Sequence, residues 1–260
     1  MSTMGQRWAN WRANPRRWRP GYIVRSMIGI ARHNMRAAET PKGRAALMQP
    51  EIESEYVELL LDAEFRRSVD EVKAHSCQDV ARLANLWTTV KRAGAGTFLE
   101  VGSYRGGTAL HICNAMPQQG SRFYCVDPFE DGGYESKNEW ERGHETTSFM
   151  DTSFEAVKRL LAGKPFAAVV RGYFPAAVAQ QDLRGIVFCH LDVNMYEATR
   201  RCLEYLSPRM DVRGVILVDD LGHSECPGVA MAVEEFLALH DAWRVIPMFP
   251  CQAVLLKTTP

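Results

Sequence analysis

Residues 186–220 read IVFCHLDVNMYEATRRCLEYLSPRMDVRGVILVDD, and this stretch decides the fold. Two short apolar runs, Ile186–Leu191 and Val215–Val218, have the length of buried strands. Each ends in acid: Asp192 after the first, Asp219 and Asp220 after the second. The segment between them has helical character, so the whole reads as strand, helix, strand. Ligands of open α/β sheets bind at the carboxyl ends of parallel strands. If the two strands are neighbours, three carboxylates meet on one rim, and their repulsion needs a counter-charge.

Working outward, the same rhythm continues on both sides. The pattern predicts strands at 97–101, 122–126, 166–170, 186–191 and 215–218, with helices at 107–116, 153–162, 174–180, 196–206 and 229–240 between and after them. Two last strands are expected at 243–247 and 252–257. The link between them is so short that a hairpin is expected, which makes the last strand antiparallel. The expected class is α/β, a doubly wound, seven-stranded, mostly parallel sheet with a helical N-terminal extension. Within that extension, residues 51–95 read as helical cover, with Ser76 as a cap for the second helix and Gly94 and Gly96 after its end.

Composition bounds the rest. The chain has 260 residues, 46% hydrophobic, which is enough for one large α/β core. Net charge is zero, but residues 1–50 hold nine Arg and one Lys against Glu39 alone. That basic arm carries Trp8, Trp11 and Trp18, and it suggests a contact with an anionic neighbour such as a membrane surface, or packing on a second subunit. A homodimer is expected on that ground. No nucleic-acid partner is expected, because nothing else in the chain supports one. The seven cysteines are odd in number and include no CxxC, so they read as reduced, and a cytoplasmic location is expected. No apolar run approaches the ~18 residues of a membrane span.

Two motifs carry chemistry. The first is FLEVGSYRGGTAL, residues 98–110: strand, glycine loop, helix. Gly102 and Gly106 let the backbone come close to a ligand, and the helix start at Gly107 and Thr108 offers free N–H groups. Tyr104 occupies the second glycine position of the dinucleotide fingerprint, so that fingerprint does not fit. Glu100, Gly102, Ser103, Gly106 and Thr108 instead suit the zwitterionic end of an amino acid. Glu100 would help hold an ammonium, and the helix N–H groups a carboxylate. A tight βα turn with no ligand is the plain alternative. Asp127 ends the second strand, where an acid can meet ribose hydroxyls. Gly172 and Tyr173 follow the third strand and could line an adenine pocket or belong to the core.

The second motif is the acid set Asp192, Asp219 and Asp220. An all-oxygen, hard donor set favours Mg²⁺, Ca²⁺ or Mn²⁺ over zinc. Residues 128–150, PFEDGGYESKNEWERGHETTSFM, are too long and polar for a casual connection and read as a lid. Within it Tyr134, Trp140 and Phe149 could stack on sugar faces, and His144 is a candidate base.

The order Glu100-Val101-Gly102, Gly106-Gly107, Asp127, Gly172-Tyr173-Phe174, Leu191-Asp192, Tyr196, Asp219-Asp220 and Cys226-Pro227-Gly228-Val229 resembles the macrocin O-methyltransferase family. The resemblance covers roughly residues 95–257 and is most specific over 186–237. It implies a class I, Rossmann-like, S-adenosylmethionine-dependent fold and transfer of a methyl group to a sugar hydroxyl of a glycoside, such as an antibiotic sugar or an oligosaccharide. Methylation of a catechol-like phenol shares the same logic, and a non-catalytic binding protein on this fold is the alternative of a different class. The resemblance further implies Mg²⁺ at Asp192, Asp219 and Asp220, with Asp192 as general base. Charge and pattern divide the chain into a basic arm at 1–50, a helical cap region at 51–95 and, with the resemblance, a methyltransferase core at 96–260 that carries the lid 128–150. Members of the family often carry an acid two residues after the metal-binding Asp; here that position is Asn194.

Overall fold

The structure is a computed structural model that describes residue 59 and residues 62–132, 149, 151–181 and 183–260. Seven strands form one sheet: β1 Thr97–Val101, β2 Arg122–Asp127, β3 Ala167–Arg171, β4 Ile186–Leu191, β5 Met210–Val218, β6 Trp243–Met248 and β7 Gln252–Lys257. Their order is β3-β2-β1-β4-β5-β7-β6. The first five pair in parallel, and β7 runs antiparallel to both β5 and β6. This is the expected architecture, with the last strand reversed by a tight link as predicted.

Six helices accompany the sheet among the described residues: α1 Ala63–Val72, α2 Val80–Arg92, α3 Gly107–Ala115, α4 Phe154–Leu160, α5 Tyr196–Leu206 and α6 Pro227–Leu239. Side-chain caps start the first two. Asp62 accepts from the N–H groups of Glu64 and Phe65, and Asp79 accepts from that of Arg82. The expected cap, Ser76, accepts from Gln78 N instead. Phe65 of α1 packs edge to face on Trp87 of α2 and His111 of α3, and Trp87 and His111 meet at a tilt, with ring centroids 5.2–5.9 Å apart.

Two elements differ from expectation. Residues 174–180 hold only a 3-10 turn at Ala176–Val178. Strand β5 begins at Met210, five residues before the predicted start. The reason is a bulge: Ile186 pairs with Met210 but Phe188 with Val215. Arg213 sits at φ 71 inside it, and a side chain at Gly214 would strike Asp211 O at 2.7 Å. A bulged strand lacks the period-two signature, so Asp211–Gly214 reads as loop.

The chain runs from β1 outward through β2 to β3, then returns to the other side of β1 with β4. The sheet therefore reverses between β1 and β4, and the crevice of a doubly wound fold opens there. Ladder register does the rest. Val101 pairs with Leu191, and Leu191 with Val218. The next residues along each strand, Gly102, Asp192 and Asp219, therefore stand side by side on one rim.

Candidate active site

A cavity of about 540 Å³ opens at that rim, within the usual size of a small-molecule site. Its walls come from the loops after β1, β2, β4 and β5 and from residues 75–79 and Arg82 at the start of α2. Four non-glycine residues with left-handed backbone lie on these loops: Tyr104 (φ 51), Phe129 (φ 52), Asn194 (φ 61) and Asp220 (φ 56). Such conformations cost about 1–3 kcal/mol each and concentrate where function demands them.

The first half of the site is the glycine loop. Gly102 sits at φ +85, and a Cβ there would lie 1.9 Å from Asp192 O. Glu100 is fully buried; its Oε1 contacts His190 Nδ1 at 2.9 Å, and its Oε2 has no partner. Burial pushes the Glu100 carboxyl up, and His190 only partly offsets it. Ser103 Oγ is likewise buried without a partner. Gln78 Oε1 is a third such atom, and of these residues Ser103 and Gln78 line the cavity while Glu100 does not. Buried polar atoms are almost always paired, so unpartnered oxygens at the cavity wall suit a donor-rich group such as an ammonium. Asp127 has a prior duty: its Oδ2 accepts from Ser103 N (2.7 Å) and Tyr104 N (3.0 Å), and its Oδ1 from Phe129 N. It pins the glycine loop to the end of β2. Gly107 N donates to His75 O at 3.2 Å, so one N–H of the α3 start is closed off by the incoming chain.

Of the residues the sequence proposed, Gly102, Ser103, Thr108, Asp127, Asp192 and Asp220 line the cavity. Gly106 packs against Val157, and Gly172 and Tyr173 are not in the cavity wall; Tyr173 is 41% exposed. Tyr134, Trp140 and His144 lie outside the described residues. Phe149 lines the cavity and meets Tyr104 edge to face, while Asp151 accepts from Tyr104 Oη and pairs with Arg105.

The second half is the acid corner, and three of the residues that answer its charge, Arg82, Gln78 and Gln252, were missed by the sequence reading. Arg82 Nη1 reaches Asp219 Oδ1 at 2.6 Å and Asp220 Oδ1 at 2.9 Å. Gln78 Nε2 donates to Asp192 Oδ2 (3.1 Å) and Asp219 Oδ2 (2.8 Å), and Gln252 Nε2 donates to Asp219 Oδ2 at 3.1 Å. His190 bridges Glu100 and Asp219 through its two ring nitrogens. Burial works against an imidazolium there, but the bonds to Asp219 and Glu100 overcome it and raise the His190 pKa to about 10. Burial would raise Asp219 as well, yet His190 and Arg82 hold it below the usual carboxylate range. Asp192 goes the other way: burial and the charge of Asp219 push it well up, which makes it a stronger base.

Two positive groups, Arg82 and His190, pair with Asp219, Asp220 and Glu100, and Asp192 stands beside them. The carboxyl and amide oxygens at this corner are hard donors of the kind that fit Mg²⁺. One consequence is testable without ligand. Because His190 is raised from its ordinary value near 6.5, its stabilisation is complete below that value and disappears as pH climbs through about 10. Urea unfolding should show a midpoint that falls steadily from pH 6.5 to 10, with the fall blunted in His190→Gln. An unchanged midpoint in the wild type would mean that His190 is neutral.

A sheet that reverses beside a glycine loop, with an acid corner at the same rim, has the layout of a class I methyltransferase fold. Residues 99–221 match the family described as a methyltransferase domain. A curated relative, the demethyldecarbamoylnovobiocin O-methyltransferase of Streptomyces niveus, is 24% identical over 185 residues, 65% of this chain and 70% of that one. The structure of the O-methyltransferase NovP superposes with TM-score 0.62 at 21% identity, covering 71% of this chain and 83% of that one. The calicheamicin methyltransferase CalS11 gives TM-score 0.55 at 17% identity, covering 87% and 91%. The chain is an S-adenosylmethionine-dependent O-methyltransferase, in line with its macrocin O-methyltransferase-like motifs. No helix among the described residues is long and apolar enough to cross a membrane.

Proposed function

We propose that this enzyme methylates a sugar hydroxyl of a glycoside or oligosaccharide, with Mg²⁺ at the acid corner of Asp192, Asp219 and Asp220. The observation that carries the reading is Asp192 itself. It lines the cavity beside the glycine loop, and its surroundings raise its basicity. S-adenosylmethionine supplies an electrophilic methyl group, and a divalent cation supplies polarisation of the acceptor hydroxyl. The chain does the remaining work. Glu100 and Ser103 hold the donor's amino acid end, and Gly102 leaves room for the loop to approach Asp192. Thr108 lines the rest of the donor site, Asp127 fixes the loop that shapes it, and Asp192 takes the acceptor proton, with His144 as the second base to test. Orientation of this kind supplies about 7–11 kcal/mol in the best cases.

The acceptor class rests on the cavity's polar acid corner and on the relatives, one named for acting on demethyldecarbamoylnovobiocin and the other a calicheamicin methyltransferase. The basic segment 1–50 suits an anionic membrane surface or the partner subunit of a homodimer in the cytoplasm. The test is a methyl-transfer screen of the full chain over glycosides, with phenols alongside, in Mg²⁺ and in excess chelator. Transfer to a glycoside should fall at least about 100-fold in chelator and return with Mg²⁺. Undiminished turnover in chelator would remove the cation. Transfer to phenols alone would move the acceptor to the catechol class.

A further inference from the structure

Resting on the placement of the donor at the glycine loop, we infer that Asp151 and Thr152 are positioning residues for S-adenosylmethionine. They clasp Tyr104 and so set the loop before the donor arrives. Tyr104 is where the observations converge. It lines the cavity two residues after Gly102 and holds a left-handed backbone at φ 51. A non-glycine residue keeps such a backbone only where its surroundings over-determine it. Each polar atom of Tyr104 is engaged. Its N–H donates to Asp127 Oδ2 at 3.0 Å, its carbonyl accepts from Thr152 Oγ1, and its hydroxyl donates to Asp151 Oδ1. The last two partners lie 48 and 47 residues further along the chain.

The ring is held as well. Phe149 meets it edge to face with centroids 5.2 Å apart, and the Arg105 guanidinium lies 5.0 Å from its centroid. Arg105 also grips the same aspartate: Nη2 pairs with Asp151 Oδ2, and Nε donates to Asp151 O at 3.3 Å. One carboxylate thus receives a phenol on one oxygen and a guanidinium on the other. An isolated exposed ion pair contributes little. Here the pair belongs to a set that closes on a single strained residue, and members of such a network act together.

The start of α4 is fastened on its other side too. Glu130 Oε2 accepts from Phe154 N at 2.8 Å, and Phe154 packs edge to face on Phe129, whose N–H donates to Asp127. Asp127 therefore anchors the assembly from β2, and residues 151–154 anchor it from α4. Tyr104 and Phe149 are both wall residues, so the clasp fixes the shape of the cavity beside the glycine loop. It touches neither Asp192 nor the rim acids, and its effect belongs to donor binding, not to the chemical step.

The test is calorimetry with S-adenosylmethionine on the full chain without acceptor, joined to steady-state kinetics. Asp151→Ala should weaken S-adenosylmethionine about 10-fold and raise its KM alike, with kcat within about threefold and Tm unchanged. Asp151→Asn keeps an acceptor for the Tyr104 hydroxyl and should recover part of the loss. Tyr104→Phe removes the same bond, so adding it to Asp151→Ala should weaken binding little further. Because the Arg105–Asp151 pair is exposed, wild-type affinity should fall between about 0.05 and 0.5 M NaCl, and that slope should flatten in Asp151→Ala. Wild-type affinity in Asp151→Ala would overturn the clasp, as would a loss confined to kcat or one that comes with a fall in Tm. Gly102→Ala in the same titration separates the two readings. If it alone loses affinity, only the clasp fails; if it too binds like wild type, the donor does not sit at the glycine loop.

Discussion

Gly102→Ala should destroy the enzyme more thoroughly than any other single methyl group added at the site. The new Cβ would stand 1.9 Å from Asp192 O and 2.8 Å from Asp192 C. Those are backbone atoms, so no flexible side chain can swing aside. Neither partner is free to retreat. Gly102 N donates to Val126 O at 3.0 Å, and Asp192 N donates to Val101 O at 2.9 Å, so each is tied into the sheet. The φ of +85 adds a penalty for any L side chain. Strain and overpacking together cost about 3 kcal/mol or more. Relief requires β1 and β4 to part at the cofactor loop, and a shift of about 1 Å costs ~100-fold in rate. We expect at least that loss in kcat/KM, weaker S-adenosylmethionine binding by calorimetry and a lower Tm. Gly94→Ala is the control, since a Cβ there meets nothing within 4 Å. Wild-type kinetics in Gly102→Ala would show that the loop does not press on Asp192.

The same pair of strands explains what the sequence discloses. Strand ends are local features: an apolar run that stops at Asp192 or Asp219 predicts both the element and the acid on its rim. Parallel order then makes those acids neighbours through ladder register alone. What answers their charge is not local. Arg82, Gln78 and Gln252 lie between 33 and 141 residues from Asp219 along the chain. Arg82 looks like an ordinary residue in the first turn of a helix, and only the packing of α2 over the rim turns it inward. Asp127 is a similar case. Its position after β2 is readable, but its commitment to the N–H groups of Ser103, Tyr104 and Phe129 depends on how the loop folds back. Phe174 and Tyr173, adjacent in sequence, part company: Phe174 is buried and Tyr173 largely exposed. No periodicity separates the two, because a turn follows β3 where a helix was expected. The glycine loop and the acids were thus legible because they are punctuation, and the network between them was not because it is tertiary.

Asp192→Asn should abolish turnover while leaving donor binding almost intact. The side chain is nearly isosteric, and the backbone against Gly102 is unchanged, so the loop keeps its shape. The atoms proposed to meet the donor, Glu100 Oε2 and Ser103 Oγ, belong to other residues. S-adenosylmethionine affinity should therefore stay within a few-fold by calorimetry. The amide has no basicity and is a weaker cation ligand. A positioned general base contributes about 10²–10⁴-fold, so the loss should reach at least ~1,000-fold once the cation contribution is added. The pH profile identifies the group. A base must be ionised to take the acceptor proton, so wild-type kcat should climb with pH as Asp192 loses its own proton. In Asp192→Asn the residual rate should lose that limb. If the limb survives in Asp192→Asn and vanishes in His144→Ala, the proton goes to the segment between β2 and α4 instead. If turnover itself survives, Asp192 is neither base nor ligand. The acid corner would then be a purely structural ion-pair cluster closed by Arg82 and His190.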